Sequence, residues 1–275
     1  MKNSKNHIKF ITIKQITDLN LFKQSIYDGK IFILKGEPLI IDLNNYVLEK
    51  FKSFFKFDAD DLIKKSDAKK INEALLINFQ KKIKESKLVL KKFAVFLKHL
   101  KFEINETLSD KITFRYSPKN NSKAKGLLKP AKAHRDTWAS NMFHQINWWI
   151  PLQNVKENNS IYLIPKYFNK KVENTSKEWS FEKYKLSKNY PSTPFSDFKF
   201  KKSDTKSIDL EFGDVLIFSG NHIHGSLLSN TKRLNLETRT ISNHDEYKFR
   251  IPKNIDSYTK VKKKNWFSNL KKEIY

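Results

Sequence analysis

Apolar residues in the first third of the chain recur at helical spacing, and from about residue 110 the repeat shortens to two. Val47, Phe51, Phe54 and Phe55 follow Asn44-Asn45; Ile71, Leu75, Phe79 and Ile83 follow Ser66-Asp67; Leu90, Phe93, Phe96, Leu97 and Leu100 continue the series. Helix starts at the polar pairs, with one apolar stripe each, predict a mostly helical region over 1–105. The exception is the apolar run from Ile31 to Leu34 between Gly29 and Gly36, which predicts one short strand. Further on, period-two segments predict strands over 112–116, 143–152, 160–164, 208–212, 214–218 and 234–241. The polar stretch 118–130, bounded by prolines, reads as a loop. The stretch 165–207, with Pro191-Ser192-Thr193-Pro194, reads as an insertion between strands, a common place for lids and binding loops.

Strands this dense after a helical region predict an α+β protein with a barrel or jelly-roll core. A length of 275 residues supports one large core, so the expectation is a single domain over 1–275. In it, 1–105 packs on a strand-rich core at 110–245, and 246–275 forms a C-terminal extension. The tail Lys262-Lys263-Lys264-Asn265-Trp266-Phe267 is expected to pack on its own domain.

The chain has no cysteine, which excludes disulfides, thiolate metal sites and cysteine nucleophiles. No apolar leader core follows Met1, and no stretch reaches the ~20 apolar residues of a membrane span. The expectation is a soluble cytoplasmic protein. The net charge of +25 raises the question of a nucleic-acid partner. However, the excess is lysine spread along the whole chain beside many Asn, Ile and Phe, a bias that an AT-rich genome produces without any such partner. In a chain that defaults to lysine, arginine marks positions that need a planar fork. There are five: Arg115, Arg135, Arg233, Arg239 and Arg250.

Chemistry concentrates in three places. His134 and Asp136 are two apart, so on a strand they face one point while Arg135 faces away. His222 and His224 share a parity, and either can bring a second imidazole; His224 is favoured because Gly225 lets the backbone approach closely. Two imidazoles and a carboxylate hold a divalent iron on one face and leave the other open. The same set serves catalytic zinc. Arg233, Asn235, Glu237 and Arg239 then share one strand face, against Leu234, Leu236, Thr238 and Thr240 on the other. A polar inner face beneath a helical cover suits a charged ligand, and the arginine fork suits a carboxylate. Gln145 and Asn147 share a face and are further candidate donors to that ligand. The plain alternative for Arg239 is a solvated ion pair with Glu237.

These residues resemble the phytanoyl-CoA dioxygenase-like branch of the iron(II)/2-oxoglutarate oxygenases over about 114–239. The matching segments are His134-Arg135-Asp136; Trp149-Ile150-Pro151-Leu152 with Glu157-Asn158-Asn159-Ser160 and Ile164-Pro165; and Gly213-Asp214-Val215-Leu216-Ile217-Phe218 followed by His224-Gly225-Ser226, Asn230 and Arg233. The resemblance implies a double-stranded β-helix, or cupin-like jelly roll. It also implies iron ligands at His134, Asp136 and His224, and a 2-oxoglutarate arginine at Arg233, with Arg239 as the other choice. Its reaction would be O2-dependent hydroxylation of a small-molecule or lipid-like, anionic substrate. Where the family has Gly-Ser-His after Ile-Pro, this chain has Lys166-Tyr167-Phe168. Arg233 to Arg239 also matches the Arg-x-Asn-x-x-x-Arg of AlkB-type nucleic-acid demethylases, the alternative enzyme reading. A non-catalytic relative that binds ligand without turnover is the other.

Overall fold

The computed structural model describes residues 10–64, 73–119, 128–187 and 190–274. Strand β1 (Phe10–Ile13) leads to α1 (Leu19–Tyr27), β2 (Ile31–Leu34), α2 (Pro38–Phe55), α3 (Ala59–Lys64), α4 (Glu73–Glu85) and α5 (Lys87–His99). Then come β3 (Thr107–Ser109), β4 (Thr113–Ser117), α6 (Thr137–Ser140), β5 (Ile146–Pro151), β6 (Ile161–Leu163) and α7 (Phe181–Leu186). Strands β7 (Val215–Ser219), β8 (His224–Ser226) and β9 (Arg233–Ser242), helix α8 (Asp245–Lys248), β10 (Ser268–Asn269) and α9 (Leu270–Ile274) complete the chain.

Eight strands form one sheet in the order β1-β2-β7-β5-β9-β3-β10, with β4 also pairing β9; β6 and β8 form a second, two-stranded sheet. Every pairing is antiparallel except β1 with β2. The period-two pattern sorts side chains to the two faces of the large sheet. Trp148, Ile150, Ile217, Leu234 and Leu236 go to the helical side, where they share a core with Val47 and Phe51 of α2, Phe79 of α4 and Phe93 and Phe96 of α5. Trp149, Leu216 and Phe218 go to the other side and pack with Ile161 and Leu163 of β6. Neighbours Trp148 and Trp149 therefore do different work. Trp148 is packed edge-on by Phe93, Phe96 and Phe102, and its indole N–H donates to Thr240 at 2.8 Å. A buried indole needs such a partner.

Local signals explain where the helices begin. Glu37 caps α2 by accepting from the Leu39 amide at 3.2 Å, and Pro38 occupies the first turn, where its missing N–H costs nothing. The start predicted at Asn44-Asn45 is therefore late by about two turns. Asn44 lies inside α2 because its amide reaches across to the Pro151 carbonyl at 3.0 Å. The opening predicted at Ser66-Asp67 and the Ile71 position lie outside the described residues, as do 120–127 of the predicted loop. In α4 the core face is Leu76, Phe79 and Ile83; Phe79 and Ile83 are buried as predicted, while Leu75 is exposed and Leu76 takes its place. No strand forms at 208–212: Leu210 makes a single bridge to Val155, and the segment joins the ladder of neither sheet although Leu210 packs against both. The tail packs inward, with Phe267 joining Leu108, Met142 and Ile241. Among the described residues no helix is long and apolar enough to cross a membrane.

Candidate metal centre

His224 opens β8, and its backbone exchanges two hydrogen bonds with His134, each amide donating to the other's carbonyl at 2.9 Å. This bridge sets the two imidazole centres 4.2 Å apart. Asp136 joins them: its Oδ1 lies 3.7 Å from His134 Nε2 and its Oδ2 3.9 Å from His224 Nε2. One ligand atom from each of the three lies within 4.8 Å of the others.

The route to this convergence differs from the expected strand. His134 occupies an isolated bridge, and Asp136 has helical backbone, φ −63° and ψ −30°, at the head of α6. An aspartate in that place ordinarily caps the free amides of the first turn. Asp136 makes no such bond. It accepts from Asn147 Nδ2 at 2.5 Å and faces Arg239 Nη1 at 3.5 Å, and these partners hold the carboxylate toward the histidines.

Both imidazoles are fixed at their other nitrogen. His134 Nδ1 donates to the Lys132 carbonyl at 2.8 Å, and His224 Nδ1 donates to the His222 carbonyl at 3.0 Å. A carbonyl only accepts, so in the neutral ring the proton sits on Nδ1 and Nε2 is left to present a lone pair. Burial, and then the neighbouring His224, push the His134 pKa down to about 4, so the ring is neutral at neutral pH. Burial works against the Asp136 carboxylate, but Arg239, His224, His134 and Asn147 outweigh it and hold its pKa below the usual range. Two imidazole nitrogens and one carboxylate thus face a common point. That donor set fits a divalent cation.

His222 does not share the site. It is fully buried, its Nε2 meets the Gly29 carbonyl at 3.1 Å, and its ring lies 4.5 Å from the Phe168 ring. Of the two candidates for the third position, His224 is the one brought to His134 and Asp136. Gly225 beside it has no room for a side chain: a Cβ there would stand 2.4 Å from the Tyr162 hydroxyl oxygen and 2.9 Å from the Ala131 carbonyl.

The polar row of β9 faces the same space. Arg233 is 4 % exposed. Its Nη1 donates to the carbonyls of Asn159 and Ser160 at 2.9 and 2.8 Å, its Nε reaches Asn235 at 3.3 Å, and its guanidinium lies over Trp149. No carboxylate among the described residues lies within ion-pair distance of it. Burial lowers its pKa to about 10, so it stays charged at neutral pH. Arg239 is different: it pairs with Asp110 and Asp136, which outweigh the cost of burial and raise its pKa. The alternative Arg239–Glu237 pair does not form: Glu237 accepts from Arg115 Nε at 2.7 Å.

The structure puts the remaining residues elsewhere. Gln145 and Asn147, expected to donate to a cosubstrate, form a relay behind Asp136. Ser140 donates to Gln145 at 3.1 Å, Gln145 to Asn147 at 2.9 Å, and Asn147 to Asp136. Arg135 is a buried brace: it donates to the carbonyls of Tyr167, Phe168, Lys170 and Asn221 and to the carboxylate of Asp256. The Lys166-Tyr167-Phe168 departure is thus the segment that Arg135 ties down. Arg250 is a surface residue paired with Asp28. Asp110 and Asp256 gave no signal in the sequence, since each lies far along the chain from the arginine it holds.

No protein-family profile matches the chain, and no curated protein matches it. The phytanoyl-CoA dioxygenase-like resemblance therefore rests on its motif residues alone. Solved structures do match. EvdO2 from Micromonospora carbonacea var. aurantiaca is 10 % identical with a TM-score of 0.48, over 84 % of this chain and 94 % of that one. The epimerase SnoN, in complex with Fe3+, alpha ketoglutarate and nogalamycin RO, is 11 % identical with a TM-score of 0.45, over 81 % and 83 %. The non-heme monooxygenase ThoJ is 11 % identical with a TM-score of 0.44, over 80 % and 76 %. At these identities and scores the overlaps assign the chain neither a family nor a reaction.

Proposed function

We propose that the chain is an iron(II)- and 2-oxoglutarate-dependent oxygenase that hydroxylates a C–H bond of a small molecule, within a single domain whose strands form a double-stranded β-helix. One paired observation carries this reading. Three lone-pair donors face one point, and a buried guanidinium without a carboxylate partner among the described residues lies on β9, the strand whose Arg239 faces Asp136. A buried unpaired cation is costly, and a carboxylate ligand offsets that cost. Zinc would suit the three donors equally well, but a zinc hydrolase gives Arg233 no role.

In this reading His134, Asp136 and His224 hold the iron, and Arg233 forks onto the distal carboxylate of 2-oxoglutarate. The bound iron and keto acid supply the activation of O2, coupled to decarboxylation of the keto acid. The protein's part is geometric. The Lys132 and His222 carbonyls fix the proton of each neutral imidazole on Nδ1, so that Nε2 is the nitrogen turned to the metal. Asn147 and Arg239 aim Asp136. Arg239 also keeps Asp136 ionised.

Anaerobic titration with Fe(II) and 2-oxoglutarate tests the reading. The expected result is a visible charge-transfer band that needs both components, followed on admitting O2 by succinate release. Asp136→Ala should abolish both signals. Protein that takes up no ferrous ion, or an Asp136→Ala variant that turns over 2-oxoglutarate at the wild-type rate, would end the proposal.

A further inference from the structure

The five arginines differ in what occupies their donors. Arg135 has five acceptors, Arg239 two carboxylates, and Arg250 a surface aspartate. Arg233 has carbonyls and the place proposed for 2-oxoglutarate. Arg115 is left. It stands on β4 opposite Asn235 of β9, and its Nε donates to Glu237 at 2.7 Å. Its two terminal nitrogens make no hydrogen bond to any described residue, and its side chain is 39 % exposed. Among the described residues the guanidinium is thus held along one edge and open along the other. A clamped fork loses little entropy when it takes up an acid.

Its setting connects it to the metal centre. Glu237 belongs to the inward row of β9, and its charge is felt at His134, Arg233 and Arg239. Lys84 of α4 and Tyr184 of α7 stand close enough to share a field with Arg115. Iron, Asp136, 2-oxoglutarate and Arg233 would neutralise one another. So do Arg239 with Asp110 and Arg115 with Glu237. Lys84 remains, and the surroundings of Arg115 keep a positive charge.

We infer that Arg115 is the residue on which the substrate docks, and that the substrate is a small organic acid whose carboxylate or phosphate sits on the open edge of this guanidinium. The inference rests on the oxygenase reading above and names its substrate class. Glu237 is the positioning residue, because it aims the fork.

Protein labelled with a nitrogen isotope only in arginine gives five Nε–H signals, assigned by replacing each arginine with lysine in turn. With zinc standing in for iron and 2-oxoglutarate present, the Arg115 signal should shift saturably with decanoate or with inorganic phosphate, and not with decanamide. The two acids separate a carboxylate site from a phosphate site. Arg115→Gln should weaken the active acid by at least about tenfold, the loss expected for one charge-assisted fork. An Arg115 signal unmoved by both acids, or moved equally by the amide, overturns the inference, and the wild-type titration decides this even if the variant fails to fold. The Arg233 signal keeps the two readings apart. If it does not respond to zinc with 2-oxoglutarate, the oxygenase reading falls; if it responds while Arg115 stays silent, only the docking role falls.

Discussion

Asn147 donates to Asp136 at 2.5 Å, so the carboxylate at the centre of the site is aimed by a strand to which it does not belong. Asn147 is in turn oriented by Gln145, which leaves it one geometry. Asn147→Ala should therefore weaken metal binding by about 10- to 100-fold, the usual cost of losing a group that orients a ligand. Competition with a chromophoric chelator measures this. An unchanged affinity would make the relay merely structural.

Arg233 separates a ligand-binding arginine from a structural one. Arg233→Lys keeps the charge and loses the fork, and the apparent affinity for 2-oxoglutarate should fall at least about tenfold. Arg233→Met removes a buried cation that has no carboxylate partner, so the ligand-free protein should be as stable as the wild type or more so. Urea unfolding beside a 2-oxoglutarate titration reads both effects. A clear loss of stability in Arg233→Met, with affinity intact in Arg233→Lys, would move the cosubstrate role to Arg239.

Arg135 makes the opposite prediction. Lysine cannot reach the five acceptors that its guanidinium serves, and buried Asp256 would lose its guanidinium and keep only the Trp138 indole and the Val172 amide. Arg135→Lys should cost about 3–5 kcal/mol of stability. Thermal unfolding would show the loss with or without metal present.

Gly225 is fixed by space. Gly225→Ala brings a methyl against the Tyr162 hydroxyl and the Ala131 carbonyl, and only the tyrosine can give way easily. The change should cost about 1–3 kcal/mol and weaken metal binding at the adjoining His224. Adding Tyr162→Phe should restore part of the loss. A double variant no better than the single one would place the strain at Ala131.

Two histidines set the acid limb of stability. Burial, the nearby Arg135 and then His224 push the His222 pKa down to about 3, and burial pushes that of His134 down to about 4. Below an ordinary histidine value near 6.5 the unfolded chain takes up these protons while the folded one does not. Stability of the metal-free protein should then rise with pH from about 3–4 to about 6.5, by at most about 1.4 kcal/mol per pH unit for each group. His222→Gln keeps a donor toward the Gly29 carbonyl and removes one titration, so the slope should flatten. Urea midpoints across that range, with chelator present, check the sign.

The linear chain determined a good deal of this protein. Period-two alternation placed β4, β5, β7 and β9 within a few residues, because each of these strands separates a helix-facing side from a polar or sheet-facing side. His134, Asp136 and His224 were legible as a set because their chemistry is unusual in combination, and scarce arginine in a lysine-rich chain flagged Arg233, Arg239 and Arg115. Tertiary structure decided the rest. The choice between His222 and His224 depended on which ring the cross-strand bridge brought to His134, and both have the same parity in sequence. The helical turn at Asp136, the pairing of Arg239 with Asp110 instead of Glu237, and the use of Arg135 as a brace all depend on groups far apart along the chain. Periodicity reports which face a side chain occupies. It carries no information on which distant partner waits there, and in this protein the partner fixes the ionisation, direction and availability of each group in the site.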